Sequence, residues 1–87
     1  MIFAIVYKVY IITISEVSGG CDLYNKPMAF DNREKAMAEL EKMRVECNEQ
    51  YPEKYKREFY EDSIEFYIDG EYSVNHYSAV IHEVEVQ

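Results

Sequence analysis

The chain has 87 residues, a formal net charge of −8 and a charged fraction of 30%. This length supports one hydrophobic core and no second one, so we expect a single domain over residues 1–87. The apolar fraction of 48% excludes an intrinsically disordered chain, and the acidic surface argues against direct binding to nucleic-acid phosphates.

The first predicted element is a β-strand over residues 2–14, rich in Ile, Val and Tyr. Both alternating faces are apolar at its start, so we expect both to be covered there. The run is not typical of a targeting segment or a membrane span, because Lys8 interrupts it, no basic region precedes it and it is too short. We therefore expect a cytoplasmic protein, without membrane contact, in which Cys21 and Cys47 are reduced.

A turn is predicted at Ser18–Gly20, where two glycines follow a serine. The next segment, Cys21–Met28, is interpreted as a short second strand that returns along the first as a hairpin. Asn25 and Pro27 weaken this interpretation, since proline cannot donate a hydrogen bond to a sheet.

The best-defined element is an amphipathic helix from Asp31 to about Gln50. Asp31 is predicted to be the N-cap, with Glu34 three residues later completing a capping box. Pro52 is expected to end the helix, because the residue before a proline avoids the α conformation. One apolar stripe with helical spacing should pack on a sheet; it comprises Ala36, Leu40, Met43 and Cys47.

Residues 53–62 fit two patterns. The spacing of Tyr51, Tyr55 and Phe59 fits a second helical turn, whereas the alternation of Tyr55, Arg57 and Phe59 fits a strand. We favour an irregular or short helical connection. Basic and aromatic residues alternate in this segment, as they do in proteins that bind single-stranded nucleic acids. The acidic residues among them instead favour a solvated connection.

The last third of the chain is predicted to be β structure. Ile64 and Ile68 belong to an alternating strand, and Asp69–Gly70 is a strong hairpin signal. Matching apolar positions places Ile68 opposite Tyr72 and Ile64 opposite His76, which requires a longer turn or a β-bulge near residues 71–73. A bend at residues 75–78 is then expected before a final strand over residues 80–86.

The element order β(β)αββ predicts an α+β fold, a two-layer structure with one amphipathic helix packed on a mostly antiparallel sheet. In size and pattern the chain resembles the small proteins that are abundant in bacterial and phage genomes. No motif within it is diagnostic of a family.

Few residues suggest chemistry. Cys21, Cys47, His76 and His82 could ligate a metal, but none has the spacing of a known ligand pair. On one straight strand the two histidines would lie about 20 Å apart, although the bend expected at 75–78 could shorten this. His82 is interpreted as a core or rim histidine, and Cys21 is the candidate nucleophile, with no base assignable to it. We predict no catalytic residue, no bound metal and no cofactor.

The tyrosines give the clearest functional indication, because tyrosine is enriched at protein interfaces. Tyr60, Tyr67 and Tyr77 are predicted interface residues on the sheet and its edges. The alternative is that tyrosine rings thicken a thin core. The first hypothesis is a non-catalytic interaction protein that forms a homo-oligomer or binds a protein partner.

Two other hypotheses assign the protein to different functional classes. The net charge of −8 would suit an acidic inhibitor, or nucleic-acid mimic, of a basic protein. A small enzyme or metal protein would have to use Cys21, Cys47 and the two histidines.

Overall fold

The computed structural model describes residues 7–86, which form six strands and one helix. All the strands join one antiparallel sheet in the order β2-β1-β6-β5-β4, and β3 pairs with β1 along the same edge as β2. The helix packs on one face of this sheet, which confirms the predicted two-layer α+β fold. The elements are β1 (Tyr7–Ser18), β2 (Cys21–Leu23), β3 (Met28–Phe30), α1 (Arg33–Gln50), β4 (Lys56–Phe59), β5 (Ser63–Tyr67) and β6 (His76–Val86).

Strand β1 runs to Ser18, four residues beyond the predicted end. Residues 2–6 of the predicted strand, where both faces were expected to be covered, lie outside the described residues. The predicted glycine turn is confirmed: Gly19 and Gly20 have φ values of 59° and 80°, which residues with a Cβ rarely adopt. The returning hairpin is also confirmed, but as two short strands, since Pro27 precedes β3 and cannot join the ladder.

The helix has the predicted buried stripe and ends as predicted at Gln50, before Pro52, but it begins at Arg33 rather than next to Asp31. The N-cap prediction was wrong by one residue. Asn32 is the cap, and its side chain accepts a hydrogen bond from the Lys35 amide at 2.8 Å. Because β3 extends to Phe30, the chain needs Asp31 as well as Asn32 to turn into the helix.

The connection predicted for residues 53–62 was also wrong, since residues 56–59 form the edge strand β4. The alternation that favoured a strand is the correct pattern, because Arg57 and Phe59 pair with Phe66 and Ile64 of β5 on the face that carries the helix. The Phe59 and Phe66 rings lie 5.7 Å apart. Aromatic packing therefore holds this short strand on the sheet.

The link between β5 and β6 is a long turn, as predicted, but the predicted register was wrong. Ile64 lies opposite Ala79, not opposite His76. Residues 72–74 form turns rather than a strand, and the bend expected over residues 75–78 is confined to Asn75, because β6 runs unbroken from His76. This register places Tyr77, Ala79 and Ile81 under the helix, where they fill the core.

The molecule is elongated. Its extents are 58 × 23 × 18 Å and its radius of gyration is 15.5 Å, against about 12 Å for a compact chain of this length. The elongation follows β1 and β6, whose pairing reaches Tyr7 and Val86 at one end. The core lies between α1 and the sheet and comprises Ile12, Ala36, Leu40, Met43, Cys47, Ile64, Phe66, Tyr77, Ala79 and Ile81.

Candidate interaction surface

Strand alternation divides the side chains of β1 and β6 between two faces of the sheet. Ile12, Ala79 and Ile81 belong to the face that packs on α1. The other face of these two strands is here called the open strip. It consists of Tyr7, Val9, Ile11, Thr13, Ser15 and Val17 from β1 and of His76, Ser78, Val80, His82, Val84 and Val86 from β6.

The open strip contains no Asp, Glu, Lys or Arg, although such residues make up 30% of the chain. The opposite face of the same two strands carries Lys8, Glu16, Glu83 and Glu85. Formal charge on the two long central strands is thus restricted to one side of the sheet.

Two hydroxyl–imidazole pairs cross the middle of the open strip. The Thr13 hydroxyl and Nε2 of His82 share a hydrogen bond of 2.8 Å, and the Ser15 hydroxyl lies 2.9 Å from Nε2 of His76. His76 Nδ1 is 2.7 Å from the Tyr72 carbonyl oxygen. Because a carbonyl only accepts, Nδ1 must carry a hydrogen, and in the neutral ring Nε2 accepts from Ser15. His82 is exposed, so of its two predicted places, core and rim, the core was wrong.

One end of the open strip is aromatic. The Tyr72 ring stacks on the His76 ring, with centroids 4.4 Å apart and an interplanar angle of 11°. The Tyr67 ring lies 5.8 Å from Tyr72 on the same side of the sheet. Partial burial raises the pKa of the Tyr67 and Tyr72 phenols, because it disfavours the phenolate.

The other end of the open strip is aliphatic. Tyr7 pairs with Val86, and Val9 pairs with Val84. Tyr7 is 61% exposed, Val84 39% and Val86 44%. Contiguous exposed apolar side chains of this kind mark interaction sites on soluble proteins.

The three predicted interface tyrosines occupy different places. Tyr60 is 59% exposed just after β4, and Tyr67 lies half-buried beside the open strip. Tyr77 is only 9% exposed and packs in the core, with its ring 5.9 Å from Tyr51. Its assignment to a surface is therefore corrected, because the register of β6 turns it toward the helix. Tyr7 and Tyr72 were not predicted as interface residues, and the β6 register and the turn before it bring them to the open strip.

The residues considered for chemistry are dispersed. Cys21 is exposed in β2, whereas Cys47 is buried, and burial raises the pKa of its thiol. His76 and His82 lie six residues apart on an unbroken strand. Within residues 7–86 no three His, Cys, Asp or Glu side chains are grouped so that they could hold a metal, and these residues enclose no cavity.

The described part of the chain also has no helix of the length and apolar character that a membrane span requires. No protein-family model matches the sequence, and neither a curated protein nor a solved structure is significantly similar to it. Function is therefore inferred from the residues and their geometry.

Proposed function

We propose that this protein is an interaction module that self-associates by packing the open strip against the same strip of a second copy. The observation that supports this most strongly is the absence of formal charge from the strip. Two chains that each carry a net charge of −8 repel one another, and a strip without carboxylates of its own lowers that repulsion at the contact while removing apolar side chains from water.

The dimensions of the open strip suit a dimer interface. β1 has 12 residues and β6 has 11, which at about 3.3 Å per residue gives a length of roughly 36 Å. With a width of about 15 Å, including flanking side chains, each copy contributes roughly 500 Å². A face-to-face pair would bury about 1,000 Å², the lower limit for a specific interface.

Association through the sheet edge is less favourable. The Ile81 amide donates to the Asp62 carbonyl at 2.8 Å, so alternation directs the backbone groups of Glu83 and Glu85 toward the same edge. β5 begins opposite Val80, so no described strand pairs with that part of the edge. Antiparallel pairing of two such edges would place Glu83 of one copy opposite Glu85 of the other, and like charges in that position destabilise a sheet.

Light scattering after size-exclusion chromatography tests this proposal with two matched variants. Val84→Glu places a carboxylate on the open strip, and Val45→Glu places one on the outer face of α1. The two valines are 39% and 43% exposed, and both changes add one negative charge. We expect dimers of the 10.4 kDa chain for the wild type and Val45→Glu, and monomers for Val84→Glu.

Circular dichroism should show that both variants remain folded. A wild type that is monomeric at high protein concentration would refute self-association. Equal weakening by the two variants would indicate a general charge effect and not an interface at the open strip.

A further inference from the structure

We propose that His76 and His82 make this self-association depend on pH, so that the dimer forms when both imidazoles are neutral and dissociates when they take up protons. The inference rests on the self-association proposed above. These two side chains are the imidazoles of the open strip, and histidine is the residue type whose charge ordinarily changes near physiological pH.

The single chain can hold His76 in its charged form. Nδ1 already faces the Tyr72 carbonyl at 2.7 Å, and a protonated Nε2 would donate to the Ser15 hydroxyl at 2.9 Å. The Tyr72 ring lies flat against the imidazole, an arrangement that attracts a cation. Every hydrogen bond of the ring is thus retained when it becomes charged.

The surroundings of His76 add no opposing positive charge. Tyr67 lies directly opposite on β5, and Glu65 is two residues farther along that strand on the same face. Beyond Tyr67, on β4, Lys56 is paired with Asp69 at 3.0 Å. On the other side, β1 places Val17 opposite His76, and Asp22 of β2 lies opposite Val17.

His82 is equally tolerant of a proton in the monomer. β1 presents Ile11 opposite it and Thr13 beside it, and the Thr13 hydroxyl can accept from a charged ring at 2.8 Å. β5 does not extend this far, because its first residue, Ser63, pairs with Val80. His82 is exposed, so water hydrates its charged form.

A second copy removes that water from both imidazoles. Covering a charged group without a compensating partner is costly, and a two-fold dimer would gather four such charges in one interface. Dissociation is therefore accompanied by proton uptake, and the dimer is stable above the titration range of histidine and weakens as pH falls through it. Protonation of surface carboxylates would act in the opposite direction, since it reduces the net charge of −8.

Sedimentation velocity at constant ionic strength, near pH 8 and near pH 5.5, tests the proposal. For the wild type we expect the dissociation constant to rise at least tenfold, since each proton taken up on dissociation raises it about tenfold per pH unit. The double variant His76→Gln/His82→Gln keeps polar, neutral side chains at both positions. We expect its dissociation constant to change less than about threefold over the same range.

Titration of the wild-type imidazoles by proton NMR gives a second readout that needs no variant. The two midpoints should be lower at protein concentrations where the dimer dominates than at concentrations where the monomer dominates. Midpoints that do not depend on concentration would overturn the inference.

The outcomes separate this inference from the proposed function. A wild type that is monomeric near pH 8 would refute self-association itself. A wild-type dimer that is equally tight near pH 5.5 would leave self-association standing and overturn the role of the histidines. A glutamine variant that dimerises near pH 8 and keeps the full pH dependence would overturn it too.

Discussion

The two faces of the central strands differ both in formal charge and in what covers them. On the helix side, Ile12, Ala79 and Ile81 are buried against α1. On the other side, the apolar, hydroxyl and histidine side chains of the open strip are not covered by α1. One pair of strands thus supplies four of the ten core residues and, in our proposal, the interaction surface. Substitutions on the helix side should therefore change stability, and substitutions on the open strip should change association.

The largest effect is expected for Leu40→Asp on the helix side. Leu40 is 4% exposed in the core, and burying an unpaired carboxylate there costs more than the whole stability of a small domain. We expect loss of cooperative unfolding in circular dichroism. Lys42→Ala, an exposed change on the same helix, should leave the unfolding curve unaltered, and a comparable loss there would contradict the assigned helix face.

A smaller loss is expected for Arg57→Ala, in β4, where the arginine contacts the end of α1. The Arg57 guanidinium donates to the carbonyls of Asn48, Tyr51 and Tyr55, at 3.2, 2.6 and 2.7 Å. The last turn of α1 has no basic residue of its own, so β4 supplies both hydrogen bonds and positive charge to the helix C-terminus.

Removing this guanidinium should lower the free energy of unfolding by about 2–3 kcal/mol, as measured by urea denaturation. Arg57→Lys should retain only a minor part of the stability that Arg57→Ala loses, because one ammonium cannot reach three separated carbonyls. Full recovery by lysine would show that charge alone matters at this position.

Alkaline pH should lower the free energy of unfolding through Tyr77, which packs in the core on the helix side of the sheet. Burial raises the pKa of the Tyr77 phenol, whereas in the unfolded chain a tyrosine titrates near pH 10. The contribution of the buried phenol to the free energy of unfolding is therefore fully present below about pH 10. Above that pH the free energy of unfolding falls by about 1.4 kcal/mol per pH unit for each such group.

Urea denaturation near pH 8 and near pH 11 measures this effect. Tyr77→Phe should reduce the pH dependence, and Tyr24→Phe, at an exposed tyrosine, is the control. An identical pH dependence in Tyr77→Phe would show that other groups cause the alkaline loss.

The smallest and most local effect is expected in the reactivity of the two thiols. Cys21 is exposed, and burial raises the pKa of the Cys47 thiol. In the native protein a disulfide reagent should modify Cys21 rapidly and Cys47 only when the structure opens. Cys21→Ser should leave one slow thiol, which reacts faster as urea is added. Rapid modification of Cys47 in the native protein would contradict the burial of this thiol between α1 and the sheet.

Local patterns predicted α1 and the glycine turn, because each depends on neighbouring residues. The helical stripe and Pro52 are visible without knowledge of the sheet. β4 was missed because the spacing of Tyr51, Tyr55 and Phe59 suits a helix as well as a strand. The β5–β6 register was missed because the length of a turn is decided by which residues fill the core, in this case Tyr77 and Ala79.

The candidate surface was less predictable than the fold. Tyrosine content indicated an interface, but assigning Tyr77 to a face required the register of β6. The pairs Thr13–His82 and Ser15–His76 join residues 69 and 61 positions apart. Contacts over such distances follow from strand pairing and have no signal in the local sequence.

Hydroxyl-radical footprinting of the wild type, at concentrations above and below the dissociation constant, tests the assignment of the open strip most directly. Tyr7 and Tyr72, at opposite ends of the strip region, are 61% and 47% exposed, and Tyr24 beyond β2 is 87% exposed. We predict that dimerisation protects Tyr7 and Tyr72 from oxidation and leaves Tyr24 unchanged. Protection of Tyr24 alone, or no protection of Tyr7 and Tyr72 in a proven dimer, would contradict the assignment.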